Sequence, residues 1–195
     1  MSNLYAEAVK RFQDWFAVAR EQGVNEPTAV TLATVDVNGQ PAARTVLLKH
    51  FDERGFVFYT NTHSRKGRHL DHDPKAALCF FWQPLMRQVL VQGEARRVPD
   101  NEADAYWATR PRLSQIGAWA SKQSSLLDAR ETMERRLADF GEQYADETVP
   151  RPSHWTGYRI KPAMIEFWQS RPGRLHERER YWLEEGSWRK SLIYP

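Results

Sequence analysis

The sequence predicts an α+β domain, an antiparallel β-barrel with flanking helices, and three observations carry that reading. Apolar residues recur at helical intervals up to about residue 23, then switch at Ala29 to a β-branched run. Short turn signals, Asn38-Gly39 above all, separate five strand-like runs over residues 29–98. A helical period returns over 99–145, before Pro150 and Pro152 stiffen the chain ahead of further strand-like runs at 150–195. A chain of 195 residues, 41% hydrophobic, has room for one sizeable core, and residues 1–195 are expected to form a single domain.

Each element has its own cause. Leu4, Ala8, Phe12, Trp15, Phe16 and Ala19 line one face of a first helix ending near Gly23. Val30 to Val35 and Arg44 to Lys49 flank Asn38-Gly39 and are expected to pair as a hairpin. The turn Asp52 to Gly55 leads into Phe56 to Thr60, and Ala76 to Trp82 and Arg87 to Val98 add two more strands. Strands joined mostly by short turns are expected to run as an antiparallel meander that closes into a barrel. Pro99-Asp100 opens a helix through Tyr106 and Trp107 that Pro111 stops. Leu126, Ala129, Met133, Leu137, Phe140 and Tyr144 mark one stripe of a longer helix. Trp155 to Ile160, Met164 to Gln169 and Leu175 to Trp182 then read as strands, followed by a short one around Trp188 to Ile193.

Composition removes several function classes. With 27% charged residues and a mean hydropathy of −0.70, disorder, collagen-like repeats and a membrane bundle are excluded. No apolar run approaches the roughly 20 residues that span a bilayer, no cationic start precedes an apolar stretch, and the chain is expected to be cytoplasmic. The single cysteine, Cys79, cannot form an internal disulfide and reads as a small buried side chain. The glycines form neither a Rossmann fingerprint nor a P-loop, and no Gly-x-Ser-x-Gly elbow is present. His69-x-x-His72 lacks a third ligand, so no metal is expected and these histidines read as surface residues. Residues 40–99 carry ten basic and five acidic groups and residues 151–195 nine and five, while residues 1–39 and 100–150 are net acidic. Cations in two separate blocks, interleaved with strand residues, suit a folded pocket for a small anion, although a solvated basic surface fits the same counts.

Candidate binding residues cluster in polar runs at strand ends. Asn61 to Gly67 follows a strand and reads as a helix start with Ser64 as N-cap, which adds free backbone N–H groups to Arg65 and Lys66. An anionic phosphate suits that point. Arg44 and Lys49 are five apart on one expected strand, so alternation puts them on opposite faces unless a bulge intervenes, an arrangement that suits two anions. Arg110 to Gln115 and Ser121 to Ser125 each combine cation, hydroxyl and amide in an expected loop. Trp168, the triplet Arg174-Leu175-His176 and Arg178 add a flat aromatic and further cations; alternation along a strand puts Arg174 and His176 on one face.

These motifs together resemble a known family. Arg44 to Lys49 (Arg-x-Val-Leu-Leu-Lys), Phe58 to Asn61, Ser64 to Lys66, Arg87 to Val89, Ser114 to Trp119, Ser121 to Ser124, Glu166 to Gln169 and Arg174 to Arg178 look like the pyridoxine (pyridoxamine) 5′-phosphate oxidases. The resemblance runs from about Ala29 to Pro195. It implies a split β-barrel homodimer with FMN at the subunit interface. It also implies the reaction: hydride passes from C4′ of pyridoxamine or pyridoxine 5′-phosphate to the flavin, pyridoxal 5′-phosphate forms, and dioxygen is reduced to hydrogen peroxide.

Carried over motif by motif, the FMN contacts fall on Arg44, Thr45, Val46, Leu47, Leu48 and Lys49, on Tyr59 and Thr60, on Arg65 and Lys66, on Gln88, on Gln123 and Ser124, and on Trp168 and Arg178. The substrate contacts fall on Lys49, Tyr106, Arg110 and Ser114, which would grip its phosphate, and on Arg174 and His176, which would lie over the pyridine ring as the catalytic pair. No nucleophile is needed, in keeping with the missing triad. Two other classes stay open on the residues: a split-barrel module that holds FMN or pyridoxal phosphate without turnover, and a barrel that binds single-stranded nucleic acid.

Overall fold

The computed structural model describes residues 3–195. Among them the order is α1 (Leu4–Glu21), β1 (Ala29–Val35), β2 (Pro41–Leu47), β3 (His50–Asp52), β4 (Gly55–Asn61), α2 (Arg65–His72), β5 (Lys75–Trp82), β6 (Arg87–Arg97), α3 (Asp100–Ala108), α4 (Arg112–Ala120), α5 (Arg130–Gln143), β7 (Trp155–Gln169), β8 (Glu177–Glu184) and β9 (Ser187–Leu192). Short 3-10 turns cover Gln83–Leu85 and Pro172–Arg174.

All strand pairs are antiparallel, in the order β2-β1-β5-β6-β7-β4-β3, with β8 on β7 and β9 on β8. The two ends of that path are neighbours in the chain. Leu48 N–H donates to Thr28 O and Lys49 N–H to Val57 O, each at 2.8 Å, which curls the sheet into the expected split barrel. The meander itself is not what forms. β5 returns to β1, and β4 finds its partner in β7, a non-local pairing that turn signals cannot encode. α1 plugs the barrel: Phe12 is fully buried and its ring meets Phe51, Phe56 and Phe80 at 4.8–5.0 Å, edge to face.

Local corrections have physical reasons. The runs expected as two strands, Trp155 to Ile160 and Met164 to Gln169, are one strand, because the register shift between Gln92 and Gly93 accommodates Pro162, which lacks an N–H. A Cβ at Gly93 would lie 2.0 Å from Lys161 O, so only glycine permits that crossing. Arg110 to Gln115 is not a loop: Pro111 ends α3 and then serves as N-cap of α4, which buries Ile116 and Ala120. α5 begins at Arg130 and leaves Leu126 exposed, while Leu137, Phe140 and Tyr144 pack towards Trp119 as the stripe requires. Leu175 and His176 lie outside any strand, since Gly173 (φ 67°) and Arg174 (φ 61°) turn the chain and β8 starts at Glu177. Cys79 is half-buried, and burial pushes its thiol up.

Candidate active site

The expected residues gather in two groups rather than one. The first lines a cavity of about 410 Å³ at the barrel mouth, where Thr45, Val46, Leu47, Lys49, Tyr59, Thr60, Lys66, Tyr106, Arg110, Ser114 and Gln123 all meet. Strands β2 and β4, helix α2, the end of α3 and the start of α4 supply them. Lys49 lies two residues beyond β2, so its side is not set by alternation with Arg44 as the sequence implied.

At this mouth α2 does what its sequence promised. Ser64 Oγ accepts from Gly67 N–H at 3.2 Å, and the N–H groups of Arg65 and Lys66 in the first turn have no partner within the helix. Glycine at 67 is required, because a Cβ there would lie 2.2 Å from Thr62 O. Among the described residues Lys66 Nζ reaches only neutral oxygens: Thr60 Oγ1 at 3.2 Å, Gln123 Oε1 at 3.3 Å and Ser64 Oγ at 3.4 Å. Thr60 Oγ1 also donates to Gln123 Oε1 at 3.1 Å, which ties the loop after α4 to β4. Burial, and Arg44 beside it, lower the Lys66 ammonium from its ordinary range.

Arg44 lies across β1. Its Nη1 donates to Thr34 Oγ1 at 2.6 Å and to Leu32 O at 3.2 Å, leaving Nε and Nη2 without a protein partner among the described residues. Burial and then Arg65 lower its guanidinium. Thr34 and His69, which the motifs did not single out as site residues, stand behind it. His69 is buried, not a surface residue as its spacing to His72 implied, and the clue was its place on the inner face of α2 beside Leu70.

An aromatic wall backs the cavity. Tyr59 stacks on Tyr106 at 4.0 Å and on Trp155 at 5.1 Å, and the Arg110 guanidinium sits 4.9 Å over Trp155. Burial, with help from Glu102 and Tyr106, pushes the Tyr59 hydroxyl up to about 12, so it is a neutral donor. Arg110 Nη2 donates to Ser114 O at 3.1 Å, but Arg110 Nε is buried with no partner among the described residues. Among the described residues no carboxylate pairs with Arg44, Lys49, Arg65, Lys66 or Arg110.

The second group lies on the far half of β7. Trp168 pairs with Gln88 on β6 and with Arg178 on β8, and its ring meets His176 at 4.7 Å. Roughly 35 Å of strand contour separates Trp168 from Gly157, the partner of Tyr59. Arg178 grips Glu166 Oε1 through Nε at 2.8 Å and Nη2 at 2.6 Å, while Arg180 reaches Oε2 at 3.3 Å. His176 Nδ1 accepts from Arg171 N–H at 3.2 Å, so the neutral ring carries its proton on Nε2. Arg174 and His176 are therefore placed by a tight turn and this bond, not by strand alternation. Ser124 (φ 71°) and Arg65 are exposed near the first group without a side-chain bond to it among the described residues.

The family model described as pyridoxamine 5′-phosphate oxidase matches residues 18–168. The chain belongs to the pyridoxamine 5′-phosphate oxidase family. A second model, described as the pyridoxine 5′-phosphate oxidase C-terminal dimerisation region, matches residues 155–195 and so contains Trp168, Arg174, His176 and Arg178. Among family members, the pyridoxine/pyridoxamine 5′-phosphate oxidase of Azorhizobium caulinodans is 56% identical, covering 97% of this chain and 90% of that one. Its counterpart from Alkalilimnicola ehrlichii is 52% identical over 98% and 99%. The crystal structure of PhzG from Burkholderia lata 383, in complex with tetrahydrophenazine-1-carboxylic acid, superposes with a TM-score of 0.92 at 30% identity, over 100% of this chain and 98% of that one. No helix among the described residues is long and apolar enough to cross a membrane.

Proposed function

We propose that the protein oxidises pyridoxamine or pyridoxine 5′-phosphate to pyridoxal 5′-phosphate with FMN as cofactor, as a homodimer. The observation that carries this reading is the set of partly buried cations at the barrel mouth with no carboxylate partner, Lys66, Arg44 and Arg110. Unpaired buried charge is costly, and the arrangement is economical only for a protein that binds anions. Both FMN and the substrate carry a phosphate. The names of relatives more than half identical over nearly the whole chain support the same substrate class.

The donor set fits FMN. Arg44 Nε and Nη2, Lys66 Nζ, Arg65 and the free first-turn N–H groups of α2 offer convergent donors for its phosphate. The strand from Thr45 to Lys49, with Tyr59, Thr60, Gln123 and Ser124, borders the rest of the cofactor. Arg110, with its orphaned Nε, holds the substrate phosphate together with Ser114, Tyr106 and Lys49. When bound, FMN would supply a two-electron acceptor, its reduced form being reoxidised by dioxygen, which is itself reduced to hydrogen peroxide.

The second group completes the site from the other copy. A single chain keeps Gln88, Trp168, Arg174, His176 and Arg178 on a different part of the barrel from Lys66 and Arg110, and they lie in or beside the segment matched to a dimerisation region. Two such halves make two full sites in a symmetric dimer. There His176 Nε2–H and Arg174 hold the pyridine ring and its protonation state against the flavin, and orientation rather than a nucleophile supplies the rate. The test is whether the purified protein is yellow and forms pyridoxal 5′-phosphate and peroxide from pyridoxamine 5′-phosphate in air. A yellow dimer without turnover would leave only a flavin-binding module, and failure to bind FMN would overturn the reading.

A further inference from the structure

We propose that His69, acting through Thr34, is a positioning residue that fixes the Arg44 guanidinium for the FMN phosphate; the role rests on the phosphate cradle proposed above. The argument is one of hydrogen-bond direction. Arginine only donates, so Thr34 Oγ1 accepts from Arg44 Nη1 at 2.6 Å. The hydroxyl's own proton then needs an acceptor. Thr34 is 2% exposed, and the remaining side-chain partner within reach among the described residues is His69 Nδ1 at 3.0 Å. A buried hydroxyl proton without an acceptor is costly, so His69 Nδ1 is bare and the ring proton sits on Nε2.

The surroundings of His69 hold it in that neutral form. Burial, Arg44 and Arg65 lower its pKa, Asp36 opposes them, and Arg68 adds to the lowering. The chain of bonds is thus one-way: Arg44 to Thr34, Thr34 to His69. With Nη1 spent on Leu32 O and Thr34 Oγ1, the plane of the guanidinium is fixed, and its Nε and Nη2 hydrogens remain for a ligand. An apolar side chain at position 69 would pack without supplying the acceptor. The Thr34 proton would then be left without an acceptor, and the hydroxyl that holds Arg44 would lose the bond that fixes its orientation.

The test is the FMN dissociation constant of the apoprotein, read by quenching of flavin fluorescence, in the parent, His69→Leu, His69→Gln, Thr34→Val, the Thr34→Val/His69→Leu double variant and Lys66→Ala. His69→Leu and Thr34→Val are each expected to weaken FMN about tenfold, and the double variant no more than either. His69→Gln restores an acceptor and is expected to stay within about twofold of the parent. Nitrogen-15 NMR of the folded parent is expected to find the His69 proton on Nε2, a readout that needs no variant to fold. Parent affinity in His69→Leu, affinity in His69→Gln as weak as in His69→Leu, or a proton on Nδ1 would each overturn the role while leaving the cradle standing. Parent affinity in Lys66→Ala would overturn the cradle itself, and this role with it.

Discussion

Two regions of this molecule hold their arginines in opposite ways. On β7 and β8, Arg178 and Arg180 share Glu166, whose side chain is 5% exposed, and Arg171 is paired with Glu177 at 2.8 Å. At the barrel mouth Arg44, Lys66 and Arg110 touch hydroxyls, carbonyls and aromatic faces, and none has a counter-ion among the described residues. The paired arginines have their charge already answered within the scaffold, Arg178 included although it also borders the proposed site. The unpaired ones leave a charge deficit that the proposed phosphates would answer, so the same residue type is neutralised within the chain in one place and left open to a ligand in the other.

The comparison breaks most visibly if its scaffold side is cut. Glu166→Ala would leave two partly buried guanidinium groups facing each other, and is expected to cost about 3 kcal/mol, somewhat below a fully buried pair because both arginines keep some exposure. Urea unfolding of the purified protein checks this. A loss under about 0.5 kcal/mol, the ordinary scatter of surface substitutions, would mean that the pairing is incidental.

Arg174 and His176 sharpen the contrast, since they stand beside the paired arginines yet are assigned to the substrate. Arg174→Ala and His176→Ala are each expected to lower kcat/KM about a hundredfold, the effect of a misplacement near 1 Å, with flavin still bound. Anaerobic single-turnover reduction of flavin-saturated variants decides it; unchanged rates and affinities in both would remove the pair from the site.

How much of this was legible follows from the range of the interactions. Ser64 as N-cap and the cations beside it were readable, because a cap acts within three residues. The pairing of β4 with β7 was not, and neither was α4, because Pro111 reads locally as a stop although it also starts the next helix. The motifs named Arg110 and Ser114 correctly as neighbours in one cavity but could not show that Trp168 and Arg178 lie elsewhere on the barrel. The burial of His69 is not legible, because spacing to His72 says nothing about which of the two faces inward. Arg174 and His176 read as strand residues because nothing in the local pattern reveals the turn that Gly173 makes with its φ of 67°.

On the unpaired side, Arg110→Ala removes a charged donor from the proposed substrate phosphate and is expected to raise KM roughly ten- to a hundredfold, from about 1.5–3 kcal/mol, without altering the flavin spectrum. Pyridoxine lacking its phosphate is expected to be a poor substrate of the parent already. Equal turnover of the free and phosphorylated forms would dissolve the grip.

The smallest effect concerns stability and has the opposite sign. Burial, and then Arg44, disfavour the charge on Lys66, so its ammonium costs the apoprotein stability. Lys66→Met keeps the aliphatic length and removes the charge, at the loss of three long bonds to neutral oxygens. The apoprotein is therefore expected to melt roughly 2–4 °C higher, the shift that about 1 kcal/mol produces in a chain of this size, while FMN affinity falls. The sign with pH follows from proton counts. Between the lowered folded pKa of Lys66 and its unfolded value near 10.4, the unfolded chain binds more protons, so the parent gains stability as pH rises there and the variant does not. The advantage of Lys66→Met is thus larger at pH 7 than at about pH 10. Melting curves of both apoproteins at the two pH values measure it, and a variant that melts lower than the parent at pH 7 would show that the lysine's bonds outweigh its unanswered charge.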